Sequence, residues 1–141
     1  MPAVADVSSR TITELTSLAG RAAVVTGGGR GLGKAIARRL AEAGADVLIG
    51  DIDGTLARQA AADLDGAGAS RVLGTSMDVT DSSTVKAAAD LAVREFGRID
   101  IWVNNAGIFP CVQLEQMSDE LWDRVLAVNT RGVFAGAREA A

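Results

Sequence analysis

Between positions 22 and 43 a short apolar run, Ala22-Ala23-Val24-Val25-Thr26, passes through a glycine-rich turn into a segment of helical period. The turn reads Gly27-Gly28-Gly29-Arg30-Gly31-Leu32-Gly33, and the segment after it is predicted to set Leu32, Ile36, Leu40 and Ala43 on one inward face. Glycine takes φ > 0 without strain, and its missing side chain lets backbone N–H groups and a helix N-terminus reach an anion directly. Because it joins a strand to an amphipathic helix, the turn is read as a cradle for a pyrophosphate rather than as a linker. Its spacing is T-G-x-x-x-G-x-G. The general G-x-G-x-x-G pattern would require glycine where Lys34 stands.

The same alternation continues downstream. Strands are predicted at Ala45–Gly50, Arg71–Met77 and Ile99–Val103. Between them lies a helix capped by Asp53, with Leu56, Ala60 and Leu64 inward and an end at Gly66. A second helix follows, capped near Asp81, with Val85, Ala89, Ala92 and Phe96 inward and a stop at Gly97. A last helix opens at Ser118, with Asp119 and Glu120 opposing the positive end of its dipole and Trp122, Leu126, Val133 and Ala137 inward. Gly132 and Gly136, four apart, either let another backbone approach or are a chance pair of small residues. Successive βαβ units predict an α/β fold, a doubly wound parallel sheet of Rossmann type. Residues 1–20 show weak periodicity and are read as an N-terminal arm.

Composition narrows the partners. A chain of 141 residues, 48% hydrophobic and 23% charged, suits one folded domain. A formal charge of −4 and a pI near 4.8 argue against nucleic acid or an anionic membrane. No run approaches the ~20 apolar residues of a membrane span, and no secretory leader is visible in the first twenty residues, so the chain is read as cytoplasmic. Lone Cys111 and the absence of histidine give no metal set. With no tyrosine either, proton-transfer groups reduce to carboxylates, Lys34, Lys86 and Cys111.

A dinucleotide site also needs an acidic group near the end of the second strand to accept hydrogen bonds from ribose hydroxyls. Asp51 stands eighteen residues after Gly33, although a solvated turn carboxylate is the alternative in Asp51-Ile52-Asp53-Gly54. Its charge would repel a 2′-phosphate and so favours NAD; Arg30 is the opposing feature, since a guanidinium accommodates NADP.

Four segments together resemble the short-chain dehydrogenase/reductase family: the loop at 26–33, Met77-Asp78-Val79, Asn104-Asn105-Ala106-Gly107, and Asn129. The resemblance implies that Gly27, Arg30, Gly31, Leu32, Gly33, Asp51 and Ile52 hold the adenosine and phosphate portion. It implies that Asp78 and Val79 meet adenine through a carboxylate and a backbone N–H, and that Asn105, Ala106 and Gly107 pass ribose and nicotinamide. Asn129 would bend its helix and hold a water in the proton relay, as the one catalytic residue within reach. The family's Tyr-x-x-x-Lys pair is not in this sequence, so the resemblance implies a partial Rossmann domain over 21–141, with about four strands in the order 3-2-1-4 and strand four an unpaired edge. The expected activity of the complete protein is hydride transfer between nicotinamide and an alcohol or carbonyl substrate. The chain alone is expected to be inactive. Alternatives are a non-catalytic dinucleotide- or partner-binding module, and a subunit that pairs with a homologue through the last two helices, where homo-oligomers of the family form.

Overall fold

The computed structural model describes residues 6–65 and 70–141. Strands β1 (Ala22–Thr26), β2 (Asp46–Asp51), β3 (Val72–Ser76) and β4 (Ile101–Val103) form one parallel sheet in the order β3-β2-β1-β4. Val24 of β1 is level with Leu48 of β2 and Trp102 of β4, so the strand ends and their loops gather on one side. The predicted α/β class and strand order are therefore observed.

Alternation along the strands builds two cores, because successive side chains point to opposite faces. Ala23, Val25, Val47, Ile49 and Val72 face α2 (Gly31–Glu42) and α3 (Gly54–Leu64). Val24 and Leu48 face the opposite way, toward α4 (Ser82–Phe96) and, beyond α5 (Asp119–Leu126), α6 (Gly132–Ala140). Those helices contribute mainly alanines, which lets them lie close to the sheet. Gly74 takes this furthest, since a Cβ there would overlap the Ala57 carbonyl of α3. A short α1 (Ile12–Thr16) precedes the sheet, capped by Thr11 and Glu14, with none of its residues buried.

Three helix starts carry the side-chain caps that were predicted. Asp53 accepts from Thr55 and Leu56 N–H, Asp81 from Ser83 N–H, and Ser118 from Leu121 N–H. Gly97 stops α4 in the left-handed conformation at φ 81°. The predicted stop at Gly66 lies outside the described residues.

Two inward faces differ from expectation. On α2 the buried stripe is Gly33, Ala37 and Ala41, with Ile36 and Leu40 flanking it, while Leu32 is 79% exposed. The expected single last helix is broken by one wide π turn at Ala127–Arg131, and its buried residues are Gly132, Ala135 and Gly136. Trp122, Leu126, Val133 and Ala137 are exposed rather than inward. The reason is common to both: a helix seated tightly on a neighbouring layer turns its smallest residues toward it. Gly132 meets Val79, where a Cβ would come to 2.8 Å, and Gly136 meets the Trp102–Asn104 side-chain pair. The two glycines are thus a close-approach face.

Candidate functional site

A cleft of about 590 Å³ opens at the ends of the strands. Its first wall is the glycine turn. Gly27, at φ +63°, lies against the Ala106 backbone, where a Cβ would come to 2.8 Å. Gly28 and Gly29 are similarly closed off by Ile49 and by Asp51 with Leu56. A Cβ on Gly33 would overlap the Gly27 carbonyl, so a side chain there would push the turn away from the helix that it enters.

The N-terminus of α2 differs from those of α3, α4 and α5. Arg30, its N-cap, makes no side-chain capping bond, whereas Asp53, Asp81 and Ser118 cap the other three. The first N–H groups of a helix have no intrahelical acceptor, and they carry the positive end of the dipole. This uncapped start opens on the cleft between Arg30, Leu32 and Gly33. The donor set suits a phosphate.

Asp51, at the end of β2, stands across the turn. One carboxylate oxygen accepts from Gly29 N–H at 2.9 Å and the other from Asp53 N–H at 3.1 Å, which fixes the carboxylate in the cleft wall that it shares with Ile52. After β3, Met77 is buried, and Asp78 accepts from the N–H and hydroxyl of Thr80 at 2.9 and 2.7 Å. Val79 turns its side chain to Gly132.

The far wall is tied to the first by one buried hydroxyl. Thr26, 1% exposed, accepts at its Oγ1 from the N–H groups of Asn105 and Ala106, both at 3.0 Å. The Asn105 amide returns two bonds, to the carbonyls of Thr26 at 2.9 Å and Gly27 at 3.0 Å. Asn104 does a different job, accepting from the Trp102 indole N–H at 3.1 Å. Within the π turn, Asn129 closes both ends of its amide on Ile108: its Oδ1 accepts from the N–H and its Nδ2 donates to the carbonyl, each at 2.9 Å.

The cleft therefore brings together Gly27, Arg30, Leu32, Gly33, Asp51, Ile52, Asp78, Asn105, Ala106 and Gly107, while Gly31, Val79 and Asn129 do not line it. Sequence reasoning missed Thr26 as a site residue although it sits in the quoted motif. It also missed Met77, Thr80 and the α5-side residues Arg124, Ala127 and Val128. The last three recur at helical spacing, a signal that points to a face but not to what the face meets. Among the described residues no group of His, Cys, Asp and Glu is placed to hold a metal, and no helix is long and apolar enough to cross a membrane.

The sequence profile of the short chain dehydrogenases matches residues 21–141. The chain belongs to this family, which binds nicotinamide cofactors within a Rossmann-like sheet. It is 39% identical over 127 residues to the short chain dehydrogenase/reductase dpmpG of Macrophomina phaseolina, covering 89% of this chain and 73% of that protein. It is 44% identical over 118 residues to D-threitol dehydrogenase of Mycolicibacterium smegmatis, covering 83% and 45%. Among solved structures, a short-chain type dehydrogenase/reductase from Mycobacterium marinum superposes with a TM-score of 0.87 at 34% identity, over 92% of this chain and 51% of that one. The 3-ketoacyl-(acyl-carrier-protein) reductase of Brucella melitensis, complexed with NADH, gives 0.81 at 39% identity, over 87% and 49%. Apart from dpmpG, the chain spans about half the length of these relatives.

Proposed function

We propose that this chain is the dinucleotide-binding portion of an NAD-dependent oxidoreductase acting on an alcohol or carbonyl compound. The observation that carries the reading is the uncapped N-terminus of α2 facing Asp51 across one cleft. The α2 N–H groups would hold the pyrophosphate and Asp51 the adenosine ribose hydroxyls, with Ile52 beside the base. Asp78 and the Val79 N–H would read the adenine edge, and Ala106 and Gly107 would leave room for the second ribose and nicotinamide. Nicotinamide, when bound, supplies the hydride acceptor or donor. Asn129 fixes Ile108 and so shapes the wall where the substrate carbon would lie. The relatives include a threitol dehydrogenase and a ketoacyl reductase, which fits an alcohol/carbonyl substrate.

Asp51 sets the choice of NAD over NADP, its carboxylate opposing a 2′-phosphate that Arg30 would otherwise welcome. The binding unit is read as cytoplasmic, with residues 1–20 as its N-terminal arm, and the exposed Trp122, Leu126, Val133 and Phe134 face supports pairing of two copies. A second reading, a non-catalytic binding module, is favoured by the absence of tyrosine, which leaves no family-type proton donor in these residues. Titration of the purified chain with NADH and NADPH, followed by assay with alcohols, tests both readings. NADH binding tighter than NADPH, with no turnover, is expected. Tighter NADPH binding overturns the cofactor choice, and NAD-linked turnover overturns the inactivity.

A further inference from the structure

Two arginines line the cleft, and they come from opposite layers of the fold. Arg30 stands at the N-cap position of α2, on the face shared with α3. Arg124 belongs to α5, which continues through the π turn into α6, on the face shared with α4. The unpaired backbone N–H groups suited to a phosphate, those at the start of α2, belong to the first layer. On the second layer, Arg124 is three and four residues before Ala127 and Val128, so the three share one helical face, and all line the cleft. The polar groups on that side are Asp78 and Thr80, and Val79 between them is seated on Gly132 of α6. That end combines apolar flanks and a carboxylate with a planar cation, and a nitrogen heterocycle can use all three: the flanks and cation against its faces, the carboxylate at its N–H edge. Among the described residues Arg124 has no carboxylate within ion-pairing distance, so its guanidinium is not consumed by the fold.

We propose that Arg124 is a base-binding residue, its guanidinium lying on the purine of the bound ligand at the mouth of the Asp78–Val128 end of the cleft. The assignment rests on the dinucleotide reading of the same site. It gives Arg124 a role distinct from that of Arg30: Arg124 recognises the base, and Arg30 the neighbourhood of the ribose and phosphate.

Ligand-observed NMR titration of the chain with AMP and with nicotinamide mononucleotide separates the base from the phosphate, because each probe carries one phosphate. Arg124→Gln is expected to weaken AMP by roughly threefold to tenfold and to leave the nicotinamide mononucleotide unchanged. Arg124→Lys, which keeps the charge but loses the plane, is expected to weaken AMP as well. Both variants change an exposed residue, and far-UV circular dichroism will show them folded. Unchanged AMP affinity in Arg124→Gln, equal loss for both probes, or full affinity in Arg124→Lys overturns the proposal while leaving the dinucleotide reading intact. Failure of the unmodified chain to bind AMP overturns both.

Discussion

Thr26 links two segments 79 positions apart, because its single hydroxyl oxygen takes the N–H groups of Asn105 and Ala106 in a place that water does not reach. Replacing it with valine keeps the shape and leaves those donors without their acceptor. A loss of about 1–3 kcal/mol is expected, the cost of an unsatisfied buried donor. Urea denaturation of Thr26→Val against Thr26→Ser checks this; serine should recover most of the loss, and a valine variant as stable as the parent would sink the idea. The neighbouring asparagines teach a related lesson. A tandem Asn pair at a strand end is visible in sequence, but the division of labour is not. Asn105 serves the glycine turn while Asn104 serves Trp102, and the sequence alone does not say which amide points where.

At the scale of elements, the parallel sheet was readable from alternating apolar runs and capped helices, because local rules govern both. Helix faces were less readable. Periodicity picks the largest apolar residues as inward, whereas close packing against the sheet selected Ala37, Ala41, Gly132 and Gly136. The junction of β1 and β4 has its own lock at the end remote from the cleft. Asp100 accepts from Ala22 N–H at 2.9 Å and from the Arg21 and Arg98 guanidinium groups, which together draw its carboxyl down from 3.8 to about 2. A carboxyl depressed on folding contributes stability that is fully present above its unfolded value, near 3.8. That contribution is lost as pH falls toward about 2. Asp100→Asn is expected to flatten this part of the acid limb, measured as denaturation midpoint between those values. An unchanged slope would show that the bonds do not act through charge.

For the whole molecule, the most visible consequence of the fold is its uncovered surface. β4 has β1 on one side and no strand on the other among the described residues, and Trp122, 53% exposed, leads an apolar face along α5 and α6. Self-association through that face is expected. Sedimentation velocity should show a dimer that Trp122→Glu dissociates, and a monomer at all accessible concentrations would refute it. The glycine turn itself was legible because its geometry is local, whereas Arg124, Ala127 and Val128 became site residues only once the second layer folded over the strand ends. On the proposed function, this turn and the start of α2 hold a dinucleotide. Fluorescence titration of NADH into the folded chain and into Gly33→Val tests it most directly. Saturable binding by the parent and none by the variant, whose side chain would displace Gly27, is expected. Absence of binding to the folded parent, or equal binding to both, would contradict it.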